Sequence, residues 1–451
     1  MGEHFDFEDF SATAADNDTA DEFFRTAGSL ARPFKRSMKS PQEQRRGAHL
    51  ALLAAFLGWL FDGFEIGLFP VVARPALLDM LGPGGEGGVG VWMGRITATF
   101  LIGAAIGGAL FGWLGDRIGR VRAMALSILC YSLFSGAGYF AGEPWHLAAF
   151  RFLAALGMGG EWALGVALVM EVWPEKHRPW LAGAIGAAAN LGMVLVGLIA
   201  AFFPVTQDSW RWMFLVGASP ALLTFLIRLF VPESEKWQQA RDAVGEQKFS
   251  PLREVFGPGY RGRMWIGIVL TSVALVGTWG SVQWIPLWAD QLTGGIVAGA
   301  KANAHMLSSL GAVFGSLLAP MILGRFSRRW GYFGLCVFSL VICAFLFRTQ
   351  SAYNGVFLAT VFVVGAATAA FYGFFPLYLP EFFPTRSRAT GQGICYNSGR
   401  IIAAAGALGS GALVQHYGGY AEMGAIVTLV YLVGMIAIWF APETRGKPLP
   451  D

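Results

Sequence analysis

The sequence predicts an all-α membrane protein in which twelve transmembrane helices form two pseudo-symmetric six-helix bundles. Three observations predict it: too little charge for a water-solvated surface, apolar runs that recur at bilayer length, and motifs that return half a chain later. Of 451 residues, 55% are hydrophobic and 14% charged, whereas soluble domains carry about 25% charge. A helical span of the hydrocarbon layer takes roughly 20 mostly apolar residues. The 60 glycines have neither the period of collagen nor the polarity of a linker; they suit membrane helices that pack closely through small side chains.

In chain order, a polar stretch comes first. Before Arg25 it holds eight acids and no Lys or Arg, and from Arg25 to Arg46 it holds seven Lys or Arg. A secretory signal has the opposite order, basic then apolar, so residues 1–46 are expected to be a cytoplasmic tail, disordered to about Ser40. Apolar runs follow at 48–73, 90–114, 121–141, 145–172, 180–204 and 211–232. A polar stretch intervenes, and six more runs lie at 264–290, 304–326, 331–348, 353–379, 390–416 and 420–442. The expected layout is therefore an N-terminal half over 47–232, a cytoplasmic central loop over 233–263, a C-terminal half over 264–442 and a cytoplasmic tail over 443–451. With the tail inside, 26 Lys and Arg fall on the cytoplasmic side and four on the other (Arg74, Arg211, Lys301, Arg348). That asymmetry obeys the positive-inside rule and puts both termini in the cytoplasm.

The two halves repeat one another. Gly112-Trp-Leu-Gly-Asp-Arg-Ile-Gly119 follows the second run, and Gly324-Arg-Phe-Ser-Arg-Arg-Trp-Gly331 follows the eighth. Pro174-Glu175 after the fourth run is echoed by Pro380-Glu381 after the tenth. The four cysteines all fall inside apolar runs without paired spacing, which argues against a disulfide framework or zinc site. No phosphate-cradling glycine loop, nucleophile elbow or paired CxxC occurs, and no histidine pair has metal spacing. No cofactor or metal, no enzyme activity, no ATP-driven step and no nucleic-acid partner is expected.

The segment GWLGDRIGRVRA from Gly112 resembles the loop motif between helices two and three of the major facilitator superfamily. RFLAALGMGGEW from Arg151, WRWMFLVGASPALL from Trp210, VPESEKW from Val231, LPEFFPTRSRATGQGICYNSGR from Leu379 and APETRGKPL from Ala441 agree with it, in order, over residues 48–449. GMGGEW with LVMEVWP is similar to the sialate and lactate proton symporters, and GWLFDGFE with LPEFFPTRSRATG to the aromatic-acid proton symporters. The WRWMFLVG, PES and PETRGK pieces resemble sugar porters, although LVGTWGSVQWIPLW in the seventh run lacks the double-Gln pattern of hexose porters. The resemblance implies parallel six-helix repeats around a mid-membrane site and alternating access with proton-coupled symport of a small organic anion. A sugar or polyol porter, a proton-driven drug exporter and a substrate-sensing receptor stay open as alternatives. The partners implied are a small-molecule substrate, a proton and the lipid bilayer, with a monomer as the working unit in the cell or bacterial inner membrane.

Several polar residues interrupt the apolar runs. Asp62 and Glu65 stand three apart on one helix face, where an ionisable group is costly unless it faces a cavity and serves function. A carboxylate poised between burial and a nearby cation can load and release a proton, so Asp62, Glu65 and Glu161 are candidates for proton coupling. The aromatic-acid symporters carry a D-G-x-D pair here, and only Asp62 keeps it without change. A structural cap or ion pair is the competing reading. Arg151 and Arg400 are intramembrane cations in opposite halves, and guanidinium pairs bidentately with carboxylate. They are candidate substrate ligands, with a salt bridge from Arg151 to Glu161 as the structural alternative. Asn190, Gln283, Trp284, Tyr372, Tyr396 and Asn397 are candidate lining. Arg95, at a run's end, is expected to snorkel. In the superfamily, the loop-motif Asp bonds the start of helix eleven and holds the cytoplasmic side shut. By resemblance Asp116, Arg117 and Arg120 are gating residues, matched near Thr390, with Arg328 and Arg329 in the second copy.

Overall fold

In the computed structural model, residues 40–244, 249–294, 296–297 and 299–450 are described, and no strand occurs among them. The chain runs through α1 (Pro41–Leu81), α2 (Glu86–Ile118), α3 (Arg120–Ala137), α4 (Pro144–Val172) and α5 (Arg178–Phe202). The short α6 (Arg211–Ala218), α7 (Ala221–Phe230), α8 (Glu235–Val244) and α9 (Pro251–Val255) lead to α10 (Arg261–Gly280) and α11 (Ile285–Leu292). Then come α12 (Ala300–Leu323), α13 (Arg328–Thr349), α14 (Gly355–Tyr378), α15 (Arg388–Tyr417), α16 (Tyr420–Val427) and α17 (Val430–Ala437). Proline opens several of them, at or next to the first position of α4, α5, α9 and α11, where its fixed φ suits the helix and no N–H is needed.

Ten helices among the described residues are long and apolar enough to cross a bilayer, α10 with α11 and α16 with α17 each counting as one continuous span. Two expected runs differ. Residues 211–232 form α6 and α7, divided at Ser219 and Pro220. Residues 390–416 lie in the 30-residue α15, whose Arg388, Gln392, Asn397, Ser398 and Arg400 dilute its apolar character. Helix α1 already begins at Pro41, inside the stretch assigned to the N-terminal tail, whereas residues 1–39 lie outside the described residues. At the other end the Pro450 carbonyl accepts from Thr385 N (3.2 Å) and Arg388 Nη2 (2.7 Å), which ties Pro450 to the start of α15.

Small residues set how closely helices approach. A Cβ at Gly107 would overlap the Leu156 backbone, and one at Gly159 would overlap Ala104, so α2 and α4 touch almost backbone to backbone. Such contact replaces the hydrophobic drive that lipid does not supply. Gly119, at φ 107°, turns α2 into α3 without a loop, in a region closed to side-chain-bearing residues. Contacts between the halves follow a matching pattern: α2 lies on α15 with Gly112 against Ala389, and α5 lies on α12 and α14 with Gly186 against Gly373.

Candidate functional site

Between the halves, α1, α4, α14 and α15 bring one polar and aromatic cluster together. Asp62 is 0% exposed and Glu161 1%. The Glu161 carboxylate sits against the α1 backbone at Gly58, where a Cβ would overlap Oε1. Gly58 is one helical turn from Asp62, so the two carboxyl groups face each other and interact. No protein donor reaches any of their four oxygens. Tyr396 stacks on Trp162 with ring centroids 3.9 Å apart at 10°. It also meets Trp59 edge-on at 6.1 Å and Tyr372 at 6.4 Å. Arg400, one turn along α15, has its Cζ 6.0 Å from the Tyr396 ring and interacts with Tyr396, Asp62 and Tyr372. Its Nε, and the indole Nε1 of Trp59 and of Trp162, have no hydrogen-bond partner. Buried donors of this kind are costly unless another group meets them.

Beside this cluster, Glu65 forms an ion pair with Arg151, accepts from Ser135 Oγ (2.7 Å), and offers its backbone carbonyl to Arg151 Nη2 (3.2 Å). Phe100 and Phe69 flank the guanidinium, with Phe100 at 4.3 Å. The salt bridge expected from Arg151 to Glu161 goes to Glu65 instead. The reason is depth: Arg151 and Glu161 stand ten residues apart on α4, roughly 15 Å at 1.5 Å per residue, and Glu65 lies at the level of Arg151.

A third assembly ties the halves together at one end. Asp116 accepts from Thr390 N (2.7 Å), Thr390 Oγ1 (2.6 Å) and Ala389 N (3.3 Å), at the first turn of α15. A carboxylate there meets unpaired N–H groups and the positive end of the helix. Arg120 Nη1 donates to Asp116 (2.7 Å), and its Nη2 donates to Glu171 (3.0 Å) and the Thr385 carbonyl (2.5 Å). Arg388 donates to the same Glu171 oxygen at 2.9 Å, and Ser234 Oγ to its other oxygen at 2.5 Å. In the second copy Arg328 grips Glu381 through two bonds of 3.0 and 2.8 Å; this pair lies within the C-terminal half.

An acid caps the helix after each loop motif. Glu233 accepts from Arg120 N and Val121 N at 3.0 and 3.1 Å, and Glu443 from Arg328 N and Arg329 N at 3.0 and 3.3 Å. Burial pushes the Glu233 carboxyl up, against the N–H groups and Arg120. At Glu443 burial also pushes upward, but Ser327 and the N–H groups of Arg328, Arg445 and Arg329 outweigh it and hold the group at about 2.

Of the candidates read from sequence, Asp62, Glu161, Arg400, Tyr372 and Tyr396 meet in the central cluster. Asn397 instead bonds the Gly159 carbonyl at 2.9 Å, and Asn190 reaches Ser316 at 3.5 Å, both across the two halves. Gln283 is exposed and Trp284 half-buried at the break between α10 and α11, outside the cluster. Arg117 is exposed and lies 4.9 Å over Trp113, outside the Asp116 network. Arg95 is exposed beside Trp92. Arg329 Nε donates to the Ala441 carbonyl at 2.8 Å. Sequence reasoning missed Trp59, Trp162, Glu171, Arg388, Glu233 and Glu443. All six stand inside the motif segments quoted above, and that placement was the available signal.

A bundle of membrane-length helices closed around a dry charged cluster, with its halves bonded at one end, defines a multi-pass membrane transporter. The sequence matches the family model of the Major Facilitator Superfamily over residues 50–300 and 295–451. The chain belongs to that superfamily; it is a transporter of small molecules, not an enzyme. It is 29% identical over 418 residues to the cis,cis-muconate transport protein of Acinetobacter baylyi, covering 90% of this chain and 98% of that one. It is 25% identical over 395 residues to the sialic acid transporter NanX of Escherichia coli, covering 86% and 92% respectively. The solved structure of the proton:xylose symporter XylE of Escherichia coli shares the fold, with a TM-score of 0.73 at 22% identity over 89% of this chain and 97% of that one.

Proposed function

We propose that this transporter carries a small, planar organic anion together with a proton by alternating access. The observation that carries the reading is Arg400, buried beside Tyr396 and Tyr372 and facing Asp62 of the Asp62–Glu161 carboxyl pair. Two carboxylates this close and this dry hold one shared proton more readily than two negative charges. With both ionised, Arg400 is engaged by the excess negative charge of the pair. Once a proton is shared between them, the guanidinium is free to take a carboxylate ligand. Proton loading thus makes the anion site, which is the coupling that symport requires. The stacked rings and the free indole N–H groups give a flat conjugated acid both surface and donors. The relatives named for cis,cis-muconate and sialic acid support an organic acid as substrate.

On this reading α6 with α7, and α15, complete a set of twelve spans. The five parts read from the sequence, two tails, two halves and a central loop, are the working units, and the protein acts as a monomer in the cell or bacterial inner membrane with both termini inside. The Lys and Arg distribution supports that orientation.

The test is paired uptake and counterflow in proteoliposomes, with cis,cis-muconate, an aromatic acid, sialic acid and xylose as probes. Asp62→Asn should abolish accumulation driven by an inward proton gradient while exchange of labelled for unlabelled substrate survives. Arg400→Lys keeps the charge but loses the bidentate fork, and should weaken binding of a carboxylate about tenfold or more, about 1.4 kcal/mol. Preference for xylose, with Arg400→Lys harmless, would overturn the anion reading.

A further inference from the structure

The Tyr131 side chain is fully buried inside the N-terminal half, and its hydroxyl has no hydrogen-bond partner in this structure. It belongs to neither carboxyl assembly, yet it lies within electrostatic reach of both. On α3, Ser127, Tyr131 and Ser135 recur every fourth residue and so share one face. Ser127 Oγ bonds the Gly157 carbonyl of α4 at 2.5 Å, and a Cβ at Gly157 would crowd Tyr131 itself. Ser135 Oγ bonds Glu65 at 2.7 Å. Tyr131 is therefore one turn from the residue that meets Glu65, and Asp62 is about one turn from Glu65 on α1. Gly157 is likewise one turn from Glu161 on α4. These contacts hold the Tyr131 backbone and Cβ against α4 one turn from Glu161, and its hydroxyl lies within electrostatic reach of Glu161, Asp62 and Glu65. Ser132, next in the chain, has a second buried hydroxyl close to that of Tyr131, and neither makes a hydrogen bond within 3.5 Å. The charged groups facing this space and the carboxyl pair are Asp62 and Glu65 from α1, Glu161 and Arg151 from α4, and Arg400 from α15.

We propose that Tyr131 is a positioning residue for ion coupling: its O–H donates to the Asp62–Glu161 pair when that pair has lost its shared proton. This rests on the reading of that pair as the proton site. A buried anion without a donor is costly, and a hydrogen bond to the charged form favours it. The hydroxyl thereby supplies the donor that the deprotonated pair otherwise lacks. No bond is broken or formed in this role; the phenol keeps its proton and turns it toward the anion. A tyrosine in an apolar core can serve by packing alone, but packing gives no reason for an unpaired hydroxyl at a position flanked by three carboxylates.

The experiment uses Tyr131→Phe, which keeps the ring and removes the O–H, in the full-length chain in proteoliposomes. Gradient-driven uptake and counterflow of whichever acid the parent protein carries are measured from pH 5 to 9, beside Asp62→Asn. The expected result is a midpoint of uptake moved by about half a unit or more to higher pH. Half-saturation at acidic pH stays within about twofold, since the residue does not touch substrate. Tyr131→His, which restores a donor, should bring the profile part of the way back. An unchanged profile in Tyr131→Phe, with Asp62→Asn uncoupled, overturns the role of Tyr131 and leaves the carboxyl pair standing. Full accumulation by Asp62→Asn overturns the carboxyl-pair reading itself, and this inference with it. Loss of thermal stability in Tyr131→Phe with no change in pH profile identifies a packing residue and also overturns the proposal.

Discussion

Asp116→Asn isolates the bond network that joins the two halves at the motif end. The parent carboxylate accepts from Thr390 N, Thr390 Oγ1, Ala389 N and Arg120 Nη1. An asparagine keeps one acceptor oxygen and turns an NH2 group toward donors. Hydrogen bonds to a charged group contribute about 1.5–3 kcal/mol each, so losing two weakens the closure by roughly 3 kcal/mol or more. Arg120 keeps Glu171 and the Thr385 carbonyl, so no buried cation is stranded and the fold should hold. At about 1.4 kcal/mol per tenfold, the population opened at this end should rise on the order of 100-fold. The reporter is Ser387→Cys, near-isosteric at a fully buried position beside α15, in a chain whose native cysteines are replaced. Its labelling by an impermeant thiol reagent should accelerate by about that factor when Asp116 is changed, with substrate affinity within a few-fold. Labelling in inside-out but not right-side-out vesicles would also establish the orientation. An unchanged labelling rate in the Asp116→Asn variant would refute the lock.

Two further outcomes are expected. Glu65→Gln leaves the Arg151 guanidinium buried beside a neutral group, and breaking a buried pair this way costs about 3–5 kcal/mol. Thermal unfolding in detergent should show that loss, and Arg151→Met in the same chain should recover most of it; a double variant no better than the single would disprove the pairing argument. Glu443→Gln should lower thermal stability near neutral pH. Its carboxyl is held at about 2, below the ordinary 4.5, so its contribution is present above pH 4.5 and disappears as pH falls through about 2. The difference between parent and variant should therefore shrink over that window, and a constant difference would count against the cap.

Much of the architecture is legible along the chain because the bilayer forces it. A solvent without hydrogen bonds demands helices of fixed length, and ten of them stand where the apolar runs lie. The two other segments stand apart from those ten for local reasons, the break at Pro220 and the polar residues of α15, which dilute the signal that hydropathy reads. Asp62, Glu161 and Arg400 are conspicuous for the same reason: charge inside an apolar run has few innocent explanations.

Pairing is what the sequence alone left open. Asp62 and Glu65 stand three residues apart, yet one faces Glu161 and the other pairs with Arg151. The choice is made by how deep α4 sits against α1, and that depth is set by glycine contacts such as Gly58 against Glu161. The same holds for Glu171, which reads as one acid in a motif until α15 brings Arg388 to it across the halves. Helical periodicity states which residues share a face. Only packing between helices far apart in the chain decides which faces meet, because interdigitation depends on the shapes of both partners at once.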